Sequence, residues 1–409
     1  MPNINSLINN KSNRSRFIVQ GFFLSAAMAI ADTSTVLPLI IDFFKGNEIL
    51  VGILSSLLRG GAIIMQLWTA FNAQEHSKVL NSLKKVFVFR FLTWFCVGLS
   101  ILFFSGYSNV LVLLLISIFL FLFSFSAGVG VIYYQELLGK SFTKQYRGKA
   151  IAYKQIASGI AGIIGGVISG LILESFSEPD SFAFLFIISG IIIAASFMVF
   201  WNFKEPEKTA ITKKEKNFAL FLKNAAKVLK ADRNLQIQII SRFLSYGLFL
   251  VFPFVILNAK NELGIDGKDI GIIISLQMLG AVAGNFLWGF LASKNINRCI
   301  VIISFSLTIF AISALFFASS IYVYYVIYFI AGAAIDGFRL AFSNLILIIA
   351  TDEKRPVYVA VQNNLSSLGL FFAIPGGIIL KSFNFNTIAV IALVLLTVGL
   401  IFSFMLKKQ

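Results

Sequence analysis

The chain is filled by separate apolar runs, most of them as long as the roughly 20 residues that a helix needs to cross a bilayer. Lipid offers backbone N–H and C=O groups no hydrogen-bond partner, so each run must satisfy them internally by forming a helix. The pattern predicts an all-α polytopic membrane protein with twelve transmembrane helices. The runs lie approximately at 17–43, 49–72, 85–105, 109–137, 149–173, 182–203, 236–258, 270–292, 299–319, 322–350, 357–381 and 386–406.

The composition excludes several other classes of protein. Hydrophobic residues make up 58% and charged residues 13% of the chain, whereas a soluble protein carries about 25% charged residues. The net charge of +16 comes from cations between apolar runs, not from the clustered patch of a nucleic-acid-binding protein. Cys96 and Cys299 form no CxxC pair and His76 is the single histidine, so we expect no metal and no cofactor.

The basic residues predict the orientation, because Lys and Arg are retained in cytoplasmic loops. With the N-terminus in the cytosol, 26 of the 34 cations face the cytosol, including Lys154 at the start of the fifth run. Four would face outside, namely Lys45, Lys260, Lys268 and Lys381. We therefore expect both termini in the cytosol, in a multi-pass protein of the plasma membrane or the bacterial inner membrane.

A single long polar segment, 204–235, divides the chain into two sets of six runs. It predicts an N-terminal six-helix bundle at 1–203, a basic cytosolic linker, and a C-terminal six-helix bundle at 236–409. Within the linker, apolar residues recur at helical spacing and lysines occupy the other face, which favours an amphipathic helix at the membrane surface over a plain linker. The apolar positions are Phe218, Phe221, Leu222, Ala225, Val228 and Leu229.

An internal repeat supports two pseudo-symmetric halves. The first run opens with Ser15-Arg16-Phe17 followed by Gly21, and the seventh with Ser241-Arg242-Phe243 followed by Gly247. A Leu-Trp pair near the end of the second run and a Gly-Gly pair in the fifth also recur in the eighth and eleventh runs.

With these features the chain resembles the major facilitator superfamily over essentially its whole length. The stretch from Gly289 to Arg298 is similar to the family's loop signature, although Ser293 stands where the family has an acid, and Arg147-Gly148 is similar to its Arg-Gly before the fifth span. The resemblance implies an alternating-access carrier with one cavity between two six-helix bundles, lined by spans 1, 4, 7 and 10 with contributions from spans 2, 5, 8 and 11. It also implies conformational roles for the loop residues Arg147, Gly148, Gly289 and Arg298.

Once the charges in loops and at the ends of the runs are set aside, six ionisable residues remain inside the runs: Asp32, Arg59, Arg90, Arg242, Asp336 and Arg339. Each costs about 2.5–3.5 kcal/mol at a helix centre, so such residues are expected to be paired or functional. Asp32 and Arg59 lie at similar depth, which allows either a permanent ion pair or a titrating site. Asp336 and Arg339 share a helix face, which allows either self-pairing or contact with a substrate.

These charges and nearby polar residues are the candidate site. Asp32 and Asp336 are predicted to couple transport to protons. The predicted substrate-binding residues are Arg59, Arg339, Arg242, Tyr134, Tyr246, Gln277, Gln362 and Asn363. Four arginines against two aspartates inside the runs favour a solute with a carboxylate or another anionic group.

The sequence therefore predicts a secondary transporter of a small organic solute, with protons and membrane lipids as its other partners; we expect a monomer that binds no nucleic acid. It contains no phosphate-binding loop for direct use of ATP and no HExxH or nucleophile motif of an enzyme. One alternative is an exporter of amphipathic drug-like or siderophore-like compounds. Another, of a different class, is a receptor or assembly factor that uses the same bundle without transport.

Overall fold

The computed structural model describes residues 11–73, 78–206, 227–349 and 355–407, and within these ranges the chain forms helices and no strands. Before the linker lie helices α1 Lys11–Ile30, α2 Val36–Phe43, α3 Glu48–Ala73, α4 Leu80–Phe104, α5 Asn109–Ser141, α6 Lys144–Ser175 and α7 Asp180–Val199. After the linker follow α8 Arg233–Ser245, α9 Phe252–Leu263, α10 Gly267–Ser293, α11 Asn297–Ala314, α12 Ile321–Ile349, α13 Arg355–Ser366, α14 Ala373–Ser382 and α15 Phe385–Ser403.

These helices follow the predicted runs in order. In the part of the chain that the structure describes, ten helical segments are long and apolar enough to cross a membrane. The first predicted run consists of α1 and α2, separated by a break at residues 31–35, and α3 covers the second. The seventh run is interrupted by a 3₁₀ turn at Tyr246–Leu250 and the eleventh by another at Ser367–Phe372, so neither is one continuous α-helix.

The chain divides into two compact units. The first contains Met1–Val36 and Leu57–Lys216. Aromatic packing between α4 and α7 is part of its core: the rings of Phe87 and Phe197 are stacked with centroids 4.1 Å apart. The buried Trp94 indole N–H donates to Ser189 Oγ at 2.8 Å, so the polar group of this large side chain is satisfied inside the core.

The second unit contains Leu37–Ser56 and Asn217–Gln409, so the hairpin between the first two runs groups with the C-terminal half of the chain. Glycines permit its close helix approaches. A β-carbon at Gly52 of α3 would overlap the backbone of Ala373, and one at Gly280 of α10 would overlap the backbone of Phe329 in α12. An ion pair of 2.9 Å between Lys260 and Asp42 further ties the hairpin to α9.

The described ends of the linker are attached to the helices beside them. The Glu205 side chain is buried, pairs with Lys140 at 2.8 Å and accepts hydrogen bonds from the backbone N–H groups of Val79 and Leu80, where α4 begins. At the other end, Val228 and Leu229 pack against an apolar cluster of the second unit. The predicted amphipathic helix otherwise lies mainly at 207–226, outside the described residues, and stays a prediction.

Candidate functional site

A lysine inside the membrane-spanning part of the first unit is the centre of a polar cluster. Lys154 lies on α6, within the candidate span Lys149–Ser175. Its ammonium donates to the phenolic oxygen of Tyr134 on α5 and to Gln20 Oε1 on α1 at 3.2 Å. Tyr134 donates in turn to Gln20 Oε1 at 3.1 Å. The ammonium also lies 4.6 Å from the ring centroid of Phe17 and 4.7 Å from that of Tyr134.

Three helices hold this cluster in place. A β-carbon at Gly21 would overlap the Lys154 side chain, so the missing side chain of Gly21 makes room for the lysine stem. Ser25 Oγ on α1 donates to the Ser158 carbonyl on α6 at 2.6 Å. Within the described residues, all the hydrogen-bond and ring partners of Lys154 are neutral, so the cluster presents a positive charge that no carboxylate of its own balances.

The sequence pattern groups Lys154, at the start of the fifth run, with the cytosol-facing cations, and the structure adds its contacts with Gln20 and Tyr134. The lysine side chain is half-buried against α1 and α5, because the helix starts at Lys144 and carries residue 154 several turns along. Gln20 was also missed. One sequence signal pointed to Lys154, because it lies within the bounds of the predicted fifth run. Its partners could not be predicted, because they depend on how α1, α5 and α6 pack.

Asp32 lies in the break between α1 and α2. Its Oδ1 accepts four hydrogen bonds, from the backbone N–H and the hydroxyl of both Ser34 and Thr35, at 2.5 to 3.1 Å. This is the arrangement of a carboxylate that caps a helix start, here that of α2. The predicted partner Arg59 lies half-buried in the middle of α3. Among the described residues, every hydrogen bond to Asp32 comes from its own turn, and the predicted pairing with Arg59 stays a prediction.

The second unit brings two predicted substrate-binding residues together. Arg242 Nη1 on α8 donates to Asn363 Oδ1 on α13 at 2.7 Å. Gln362, beside Asn363, is buried and donates to the Phe342 carbonyl at 3.4 Å, and Gln238 donates to the same carbonyl at 3.2 Å. Gln362 therefore joins helices, whereas Arg242 and Asn363 are half-buried and form a polar pair.

A second acidic centre lies between α12 and α10. Arg339 Nη2 pairs with Asp336 Oδ1 at 2.9 Å, as their spacing on one face allows, and Asn285 Nδ2 donates to Asp336 Oδ2 at 2.7 Å. The Asp336 side chain is 15% exposed and that of Arg339 is 65% exposed. The arginine can therefore leave the carboxylate without a large burial penalty. Asn285 was not predicted.

Two further predicted residues occupy different surroundings. Tyr246 lies half-buried in the 3₁₀ turn of the seventh run, with its ring centroid 5.9 Å from that of Phe249. Gln277 lies on α10, and its Oε1 is buried without a hydrogen-bond partner in the described part of the chain.

The predicted conformational residues lie at helix ends. Arg147 near the start of α6 donates to the carbonyls of Gly139 at 3.1 Å and Phe142 at 3.2 Å, which fixes the turn between α5 and α6. Gly148 follows it in the same helix. Arg298 donates to the Phe404 carbonyl, and a β-carbon at Gly289 would meet no atom of the described residues within 4 Å. Their conformational roles stay predictions.

Structural comparison shows a transporter fold. A point mutant of the nucleoside transporter NupG aligns with a TM-score of 0.73 at 14% identity, covering 97% of this chain and 100% of that one. A bacterial homologue of the human lysosomal transporter Spinster aligns with a TM-score of 0.66 at 13% identity, covering 99% and 97%. A bacterial metal transporter aligns with a TM-score of 0.63 at 12% identity, covering 97% and 99%. At such identities the likeness concerns the fold alone.

Sequence comparison identifies the family. A search of curated protein sequences finds no significant match. The family model of the Major Facilitator Superfamily matches residues 17–255 and 237–409, which together cover nearly the whole chain. This match, the helical segments and the transporter fold agree with the resemblance in the loop motifs. The chain is an integral, multi-pass membrane protein that belongs to the major facilitator superfamily.

Proposed function

We propose that this protein is a secondary transporter that moves a small organic anion by alternating access and couples the movement to protons. Membership of the family supports secondary transport. The observation that carries the anionic substrate is the Lys154 cluster, in which a cation inside a membrane span has neutral partners among the described residues. A charge in this position is costly unless it is paired, and a carboxylate of the solute would pair it.

The geometry of the cluster suits one anionic group. The Lys154 ammonium has three donors, and two are used by Gln20 and Tyr134. The third is available to a carboxylate oxygen, while the rings of Phe17 and Tyr134 flank the ammonium and shield it from water. Arg242 with Asn363 is a separate polar pair within the second unit, and it stays a predicted contact for a polar group of the solute.

We place the proton coupling at Asp336 in preference to Asp32. Asp32 caps the start of α2 through four hydrogen bonds from Ser34 and Thr35, which gives its carboxylate a structural role. Asp336 instead has one cationic partner among the described residues, Arg339, whose side chain is largely exposed. Movement of Arg339 away from Asp336 would favour uptake of a proton, and its return would favour release.

Thermal unfolding of the purified protein tests the substrate class. A panel of organic acids is compared with their primary amides, since a ligand that binds the folded state raises the melting temperature. We expect at least one acid to stabilise the protein and its amide to have no effect. Lys154→Met should remove this stabilisation, whereas Lys149→Met, which removes an exposed charge from the same helix, should retain it. Stabilisation by neutral or cationic amphiphiles only would instead favour the exporter.

A further inference from the structure

A groove on the surface of the first unit lies where α4 begins and α7 ends. It has a volume of about 630 Å³ and is lined by Lys84, Lys85, Val88, Phe89, Leu92 and Trp201. Neither lysine forms an ion pair in the part of the chain that the structure describes. The Lys84 ammonium lies 5.0 Å from the ring centroid of Trp201.

The groove is basic at one end and apolar along its length. Lys84 and Val88, and likewise Lys85 and Phe89, are four residues apart, so each pair shares a face of α4. Leu92 continues the apolar stripe away from the lysines by one more turn. Val88 is 44%, Phe89 is 42% and Leu92 is 49% exposed, so this stripe is available to a ligand.

The depth of these residues matches the boundary of a bilayer. The 25 residues of α4 extend about 37 Å at 1.5 Å per residue, whereas the hydrocarbon layer is about 30 Å thick. The first turn of α4, with Lys84 and Lys85 just after it, therefore reaches the headgroup region. Trp201 closely follows α7 and is 53% exposed, as is typical of tryptophans at a membrane interface.

We propose that this groove binds one anionic phospholipid, with its phosphate on Lys84 and Lys85 and one acyl chain along Val88, Phe89 and Leu92. Two cations next to an apolar stripe complement a molecule that is anionic at one end and apolar at the other. A free phosphate would use the lysines alone and leave the apolar stripe uncovered. The Trp201 ring lies beside the Lys84 ammonium and forms a wall of the groove at headgroup level.

Native mass spectrometry of the full-length protein in neutral detergent tests the proposal. Phosphatidylglycerol is compared with phosphatidylcholine of the same acyl chains and with glycerol phosphate, which has the headgroup charge without the chains. We expect phosphatidylglycerol to be retained preferentially. Lys84→Gln/Lys85→Gln should weaken its binding about 30-fold, since each basic residue contributes about fivefold toward an anionic membrane lipid.

The control Lys268→Gln/Lys381→Gln makes the same change in net charge at two exposed lysines outside the groove, and should leave retention unchanged. If the double groove variant cannot be purified, Lys85→Glu alone, at an exposed position, should lower retention. Equal retention of the two lipids by the wild type would overturn the proposal. So would equal retention by the groove and control variants, or competition by glycerol phosphate at the concentration at which the lipid binds.

Discussion

The aliphatic stem of Lys154 on α6 lies over Gly21 of α1, in space that a β-carbon at position 21 would occupy. The glycine thus lets a lysine cross the surface of α1 and reach Gln20 with its ammonium group. The close packing of α1 and α6 at Gly21 thereby sets the position of the Lys154 ammonium, which we propose binds the anionic group of the substrate.

Gly21→Ala should displace Lys154 without removing its charge. We expect anion binding about tenfold weaker, which corresponds to about 1.4 kcal/mol, because the ammonium can no longer lie beside Gln20 and Tyr134. The control is Gly139→Ala on α5, where a β-carbon would meet no atom within 4 Å in the described part of the chain. Titration of the stabilising acid, followed by the melting temperature, compares the two variants. Equal affinities would show that the position of Lys154 does not depend on Gly21.

Asp32 provides a test that separates a helix cap from a proton carrier. Asparagine also accepts hydrogen bonds at a helix start, so Asp32→Asn should change the free energy of unfolding little, whereas Asp32→Ala should lower it by about 1 kcal/mol. Because we place coupling at Asp336, Asp32→Asn should also retain accumulation driven by a pH gradient. Loss of that accumulation in stable Asp32→Asn protein would return the coupling role to Asp32.

The order of the helices and one ion pair could be predicted from the sequence. The apolar runs predicted the helical segments in order, and the spacing of Asp336 and Arg339 allowed the ion pair that the structure contains. The break after Ile30 was missed, because the first apolar run was interpreted as continuous. The polar stretch Asp32-Thr33-Ser34-Thr35 is a helix-start signal that could have revealed it.

The Lys154 cluster could not be predicted in the same way. Its partner Gln20 lies 134 residues away in sequence and Tyr134 lies 20 residues away on the preceding helix, so the packing of α1 against α5 and α6 decides which side chains meet. Asn285 was missed for the same reason, since its bond to Asp336 depends on how α10 packs against α12.

Tyr358 links the end of the linker to α13, just before the candidate span Val361–Ser382. Its hydroxyl donates to Asp232 Oδ2 at 2.8 Å. Burial is the main cause that raises the pKa of Tyr358, and the hydrogen bond to this carboxylate raises it further. The folded-state pKa of Tyr358 is above the ordinary tyrosine value of about 10. The hydrogen-bonded tyrosine therefore stabilises the fold fully below about pH 10. This contribution to the free energy of unfolding is lost as the pH rises through the folded-state pKa. Tyr358→Phe should lower the free energy of unfolding at neutral pH by about 1 kcal/mol.

The melting temperatures of wild type and Tyr358→Phe are measured from about pH 7 to about pH 11, a range that includes the ordinary tyrosine pKa. The difference between them should shrink at the alkaline end, because only the wild type loses the hydroxyl's contribution there. A difference that stays constant over this range would contradict the assigned role of the hydrogen bond.

Cysteine labelling tests the predicted orientation. In a background with Cys96→Ser and Cys299→Ser, single cysteines are introduced at Asn3, Thr212, Gln409 and Glu178. The first three should resist a membrane-impermeant thiol reagent in intact cells and react after permeabilisation, because both termini and the linker are predicted to be cytosolic. Glu178→Cys should react in intact cells. Labelling of the termini and linker before permeabilisation would reverse the orientation.

The most direct test of proton-coupled anion transport uses proteoliposomes that contain a pH-sensitive dye. Addition of the stabilising acid should shift the internal pH in wild-type vesicles and in Lys149→Met vesicles, but not in Lys154→Met vesicles, which lack the proposed anion contact. Asp336→Asn should abolish the pH shift yet retain exchange of the labelled anion, since exchange needs no net movement of protons. Anion uptake by the wild type without a change in internal pH would contradict proton coupling, and equal uptake by Lys154→Met and Lys149→Met would contradict the anion site.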